Sequence, residues 1–142
     1  MSEINTIADA IVTRINGAGV LPTGTTATRE YDGTIQADEI IDKLNVIVVP
    51  LGAAPVRMSR VSMSREYTIA VVVRKRALTK TEADAVTDIS EAVQGVFDDG
   101  SLPNDVGTVL NYQLILPWAN EWLRDSKAFN SQITLTVRGA IR

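Results

Sequence analysis

Apolar positions recur along this chain with two periods. Ile4, Ile7, Ala8, Ile11, Val12 and Ile15 repeat at helical spacing, with Glu3, Asp9 and Arg14 off the stripe and Asn16–Gly17 as a stop. The stretch from Ser64 to Asp99 then holds a strand, a turn and a second helix. Tyr67, Ile69, Val71 and Val73 fall on one face of the strand and Thr68, Ala70 and Val72 on the other, which predicts apolar neighbours on both sides. Thr79 with Glu82 is a capping-box spelling. The helix it opens carries Ala83, Val86, Ile89, Val93, Val96 and Phe97 on one stripe, ended by Asp98, Asp99 and Gly100.

The remaining segments read as strands and connections. Val46 to Val49 is a β-branched run that predicts a buried strand ending at Pro50, and Thr28 to Tyr31 a short edge strand before a turn at Asp32–Gly33. Residues 37–44 have the pattern of a short helix or 3₁₀ piece. Gly52 to Ser64 is a long loop or the flared end of a hairpin; loops of this length inside compact domains are usually functional or disordered. Leu110, Tyr112, Leu114 and Leu116 alternate with Asn111, Gln113 and Ile115, and Pro117 stops that strand. In the last strand Ile133, Leu135 and Val137 face inward, against Gln132, Thr134, Thr136 and Arg138.

This order predicts an α+β fold: a mostly antiparallel or mixed sheet of four to five strands with two main helices packed on one face. The other face, showing Asn111, Gln113, Thr134 and Thr136, is expected to be polar or to meet another subunit. With 142 residues, no internal repeat and no shift in composition, one domain spanning 1–142 is expected.

Composition narrows the chemistry. The chain has neither cysteine nor histidine, which removes the thiolate nucleophile, the imidazole base and the two commonest transition-metal ligands. It suits a reducing compartment. Of the acidic groups Asp38–Glu39–Asp42, Glu82–Asp84–Asp88 and Asp98–Asp99, the helical ones sit opposite the apolar stripe, where solvated acids are expected, and Asp98–Asp99–Gly100 lacks the remaining ligands of a calcium loop. Serines 59, 62 and 64 have no base to activate them. Gly17 and Gly19 open a partial dinucleotide-binding spelling, but Pro22 takes the third glycine's place and no strand precedes it. Neither an enzyme activity nor a cofactor is expected.

Charge is unevenly spread. From Arg57 to Lys80 seven bases stand against the single acid Glu66, and from Glu82 to Asp105 seven acids stand without a base. These runs are either solvated faces or two patches of opposite sign suited to head-to-tail contacts between copies. Arg74, Lys75, Arg76, Asp84, Asp88 and Glu91 are the candidate interface residues. On the interface reading, charge reversal at Arg74 and Arg76 weakens assembly and leaves the monomer folded. The loop residues Arg57, Met58, Arg60 and Met63 are a second candidate surface. Trp118 and Trp122, in a polar connector, either cap the core or anchor a partner. The net charge of −3 argues against a grip on nucleic acid by bulk electrostatics. No targeting segment or apolar span long enough for a bilayer is visible, so a soluble protein is expected.

The N-terminal helix, the phrase NVIVVPLG (Asn45 to Gly52), the unit SREYTIAVVVRKR…TEADAV and the late segments YQLILPW and FNSQITLTVRGAIR resemble the tail terminator and tail-completion (neck) proteins of tailed bacteriophages. The resemblance runs from about Ile4 to Ile141 and lies in element order and patterning. It implies a structural virion protein assembled in the host bacterial cytoplasm. Such a subunit forms a homo-oligomeric ring, usually of six copies, at the head-proximal end of the tail. That ring stops tail-tube growth and meets the head–tail connector or stopper protein, while genomic DNA passes through its lumen without sequence-specific binding. The loop Arg57, Met58, Arg60 and Met63 would then contact the tube or line the lumen. A head–tail joining protein on the connector side, or less directly a small binding module using an open sheet edge, are the other readings.

Overall fold

A computed structural model of the chain describes residues 2–31, 44–57, 63–76, 79–100, 102–103, 106–115 and 128–139. Helix α1 spans Glu3–Gly17, and Ser2 caps it by accepting from the Asn5 N–H. Its buried side chains are Ile7, Ala8, Ala10, Ile11 and Ile15, and the other two residues of the predicted stripe, Ile4 and Val12, are partly buried against the same core. Asn16 does more than stop the helix. Its amide oxygen accepts from the Ala27 N–H at 2.8 Å and its amide nitrogen donates to the Ala27 carbonyl at 3.3 Å. One side chain thus supplies β1 (Ala27–Arg29) with the two bonds a neighbouring strand would give.

The remaining elements are β2 (Asn45–Arg57), β3 (Met63–Arg76), α2 (Lys80–Gly95), β4 (Gly107–Ile115) and β5 (Ala128–Gly139). They form one mixed five-stranded sheet in the order β1-β2-β3-β5-β4. β1 pairs parallel to β2, and every other pairing is antiparallel. β5 is inserted between β3 and β4, so the connection through α2 crosses over it. The fold is α+β, as the element order predicts.

Thr79 accepts from the Glu82 N–H, which confirms the predicted start of α2. The helix itself stops at Gly95, before the predicted Asp98, and the chain continues in turns. Val96 and Phe97 stay buried there. Gly100 adopts φ +71°, a left-handed conformation that redirects the chain into β4, and the Val109 N–H donates to its carbonyl.

Both helices bury their stripes against one face of the sheet. Val46, Val48, Tyr67, Ile69, Val71, Val73, Ile133, Leu135 and Val137 meet Ile7, Ile11, Val86, Val93 and Phe97 in one continuous core. Within it, the hydroxyls of Ser90 and Ser131 hydrogen-bond each other, and Ser90 also donates to the Val86 carbonyl. The pair satisfies both buried polar groups and sets how α2 lies on β5.

The opposite face differs across its width. Toward β5 and β4 it shows Thr134, Thr136, Asn111 and Gln113, as expected. Toward β2 and β3 it is buried, with Ile47, Val49, Ala70, Val72 and Arg74 on one side of the strands. The polar character expected of this face therefore holds for its β5–β4 half, and the apolar neighbours expected on both sides of β3 are present on the other half.

Two further expectations are corrected. β2 does not end at Pro50: it continues to Arg57, paired with β3 out to Arg57↔Met63. The described residues of Gly52–Ser64 thus form a hairpin arm, one of the two readings that the sequence leaves open. An edge position makes this possible, because a proline there leaves no ladder bond missing on the paired side. Leu110 does not face inward. A bulge between Val109 and Asn111 makes it an extra residue, and Val109 takes the buried position. The candidate helix at 37–44 and the turn at Asp32–Gly33 lie outside the described residues, apart from Leu44.

Candidate assembly surfaces

Charge on α2 follows from its amphipathic pattern. Val86, Ser90 and Val93 point into the core, which leaves Asp84, Asp88 and Glu91, at spacings of four and three, as an exposed acidic stripe on the far side. No hydrogen bond or ion pair within the chain engages these three carboxylates among the described residues. Arg14 reaches from α1 to the end of α2, donating at 3.3 Å both to the Val96 carbonyl and to Asp99. The Tyr112 hydroxyl donates to Asp98, and that bond holds the tyrosine's pKa above its ordinary value. Asp98 and Asp99 are therefore engaged within the subunit and stand apart from the stripe.

The basic run does not form the single exposed patch that the sequence suggested. Arg74 is fully buried, at 0% exposure, on the sheet face shared with Ala70 and Val72. It interacts within the chain and cannot present its charge to a neighbouring subunit. Strand alternation is the reason: even-numbered residues of β3 share that face, and Arg74 follows Ala70 and Val72 onto it. Lys75 points the other way and is half-buried, lining a cleft of about 400 Å³ with Pro22, Thr23, Gly24, Thr25, Leu44 and Ile89. Arg65 is exposed at the root of the arm, and Glu66 pairs with Arg138 of β5 at 3.4 Å.

The backbones of Arg57, Met63 and Arg76 lie in β2 and β3, but their side chains lie outside the described residues. Met58, Arg60, Trp118 and Trp122 lie outside them altogether. The pairs Pro55↔Arg65, Val56↔Ser64 and Arg57↔Met63 extend past the last β3–β5 pair at Glu66↔Arg138. Among the described residues the arm therefore extends past the β3–β5 pairing as a two-stranded ribbon.

A polar cluster pins the other edge. Arg29 Nε donates to Asp9 at 2.7 Å, tying β1 to α1, and the guanidinium stands 5.6 Å from the centre of the Tyr31 ring. The Tyr31 hydroxyl accepts from Asn5 at 2.7 Å and from Arg29 at 3.3 Å, and these bonds, Asn5 first, lower its pKa. Tyr67 is raised instead, by burial and then by the Glu3 carboxylate beside it. Among the described residues no group of three or more acids, histidines or cysteines gathers in a metal-holding arrangement. None of their helices is long and apolar enough to cross a membrane.

Sequence reasoning missed Leu51, which lies at the equivalent irregularity of β2 and is 55% exposed. Residue pattern gives no warning of a bulge, so neither this leucine nor Leu110 (44% exposed) was separable from a core position.

No family model and no curated protein matches the sequence. Among solved structures, a chain described as part of the virion of a native gene transfer agent particle shares the fold. The match has a TM-score of 0.50 at 10% identity and covers 95% of this chain and 93% of that one. At that identity the likeness is one of fold.

Proposed function

We propose that this chain is a structural virion protein of a phage-like particle, and more narrowly a tail terminator. Copies of it form a ring, of six in the resembling family, that closes the head-proximal end of the tail tube and meets the connector, with DNA passing through the lumen. The observation that carries this reading is the end-to-end match of fold, over 95% of the chain, to a subunit of a gene transfer agent virion. The terminator assignment is supported by the element order and phrases that resemble that family. A structural role agrees with a chain that has no cysteine and no histidine.

The exposed stripe Asp84, Asp88 and Glu91 faces a neighbouring copy in this reading, with Lys75 and Arg76 as the basic counterpart and Arg74 withdrawn from it. The arm that carries Arg57, Met58, Arg60 and Met63 contacts the tube or lines the lumen, and Trp118 and Trp122 anchor a partner.

Reversing the stripe tests the interface. The triple variant Asp84→Lys, Asp88→Lys, Glu91→Lys is expected to keep the wild-type circular dichroism spectrum, because exposed charges contribute little to stability. It should lose oligomers in light scattering at concentrations where the wild type assembles. Assembly at the wild-type midpoint would place the ring contact elsewhere.

A further inference from the structure

Among the described residues the sheet has two open edges, and the same irregularity occurs on each. On one side β1 covers β2 only at Val46, Ile47 and Val48, so residues 49–57 have no strand on their outer side among the described residues. On the other side β4 is the last strand among the described residues. β2 has a bulge between Pro50 and Gly52 that leaves Leu51 as its extra residue, and β4 has one between Val109 and Asn111 that leaves Leu110. These two leucines and Tyr31 are the large apolar side chains exposed among the described residues.

Edges of monomeric sheets are usually blunted by charge. Here residues 107–115 contain no charged side chain, and residues 49–57 contain only Arg57, at their far end. Solvent reaches Ala53 and Ala54 on one edge and Thr108, Asn111 and Gln113 on the other. The two edges also match. The open part of β2 is as long as the nine residues of β4. Three successive antiparallel pairings, β2 with β3, β3 with β5 and β5 with β4, make β4 run opposite to β2. A second copy placed alongside in the plane of the sheet therefore brings β4 against β2 in the antiparallel sense.

We infer that the β4 edge of one copy seats on the β2 edge of the next, with Leu110 beside Leu51. The inference rests on the ring reading above and deepens it, because it names the edges that meet. Pairing β4 with β4 about a two-fold axis would leave the β2 edge and Leu51 open in every subunit. The head-to-tail joint covers both edges with one repeated contact, which closes into a ring when the rotation allows. Pro50 and Pro55 lack N–H donors and the bulges interrupt the ladder, so the joint combines short stretches of strand pairing with a leucine contact at the centre.

The absence of native cysteine makes cross-linking a direct test. The double variant Leu51→Cys, Leu110→Cys is oxidised, or joined with a short bis-maleimide, at a concentration where the wild type assembles, then run on a denaturing, non-reducing gel. A ladder of covalent oligomers ending at the ring size is expected, with each single variant remaining monomeric. The pair Ala53→Cys, Asn111→Cys reads the same joint should the first variant fold poorly. Oligomers in light scattering without cross-links from either pair would overturn the edge assignment and leave the ring reading standing. Covalent dimers of Leu110→Cys alone would overturn the head-to-tail joint in favour of two-fold pairing. A wild type that stays monomeric, alone and with tail tubes, would remove the ring reading and this inference together.

Discussion

The variant Arg74→Glu is expected to unfold the subunit rather than loosen a contact between subunits. Arg74 is fully buried on the β3 face that carries Ala70 and Val72, with Ile47 and Val49 on paired positions of β2. Its interactions lie within the chain. Changing a fully buried charged side chain is costly, about 3–5 kcal/mol where a buried ion is left without compensation. Glutamate adds a carboxylate where the Arg74 cation was. Domains of this size have about 5–15 kcal/mol in total, so the change consumes a large share of it. Chemical denaturation followed by circular dichroism should show a midpoint far below the wild type, or no native baseline at all. A folded Arg74→Glu subunit of wild-type stability would mean that the residue is a surface charge after all.

Phe97→Ala is the second large effect. Phe97 is buried at the turn after α2, in the core cluster that also holds Ile11, Ile15, Val93 and Val109. Truncation there removes a buried aromatic side chain and leaves a cavity, a loss of about 3–5 kcal/mol. The same turn carries the Arg14 bonds to Val96 and Asp99. Loosening it should therefore free the end of α1 as well. Hydrogen exchange would read this as faster exchange at the end of α1 than the global destabilisation alone produces. A thermal midpoint within a few degrees of the wild type would show that the site collapses and fills the gap.

Much of this architecture was legible in the chain, and the reasons are local. The α1 stripe, the Thr79 cap and the alternation of β5 depend on residues a few positions apart, and each appears in the fold where the pattern put it. The insertion of β5 between β3 and β4 was not legible, since pairing order depends on contacts far apart in sequence. The bulges were not legible either. A single extra residue reverses the alternation, so Leu110 reads as core when Val109 is.

Arg74 is the instructive miss. Its parity with Ala70 and Val72 was readable, and the run Arg74, Lys75, Arg76 drew it instead into a surface patch. Alternation within the strand was the stronger signal. The acidic residues of α2 were readable for the complementary reason, because a helix that buries Val86, Ser90 and Val93 must expose Asp84, Asp88 and Glu91.

The most direct test of the assembly role is negative-stain imaging of the purified wild-type protein, alone at high concentration and mixed with growing tail tubes. The account predicts rings of about six subunits, as in the family that the sequence resembles, or caps on one end of tubes that then cease to lengthen. Single particles that leave tube growth untouched would contradict it.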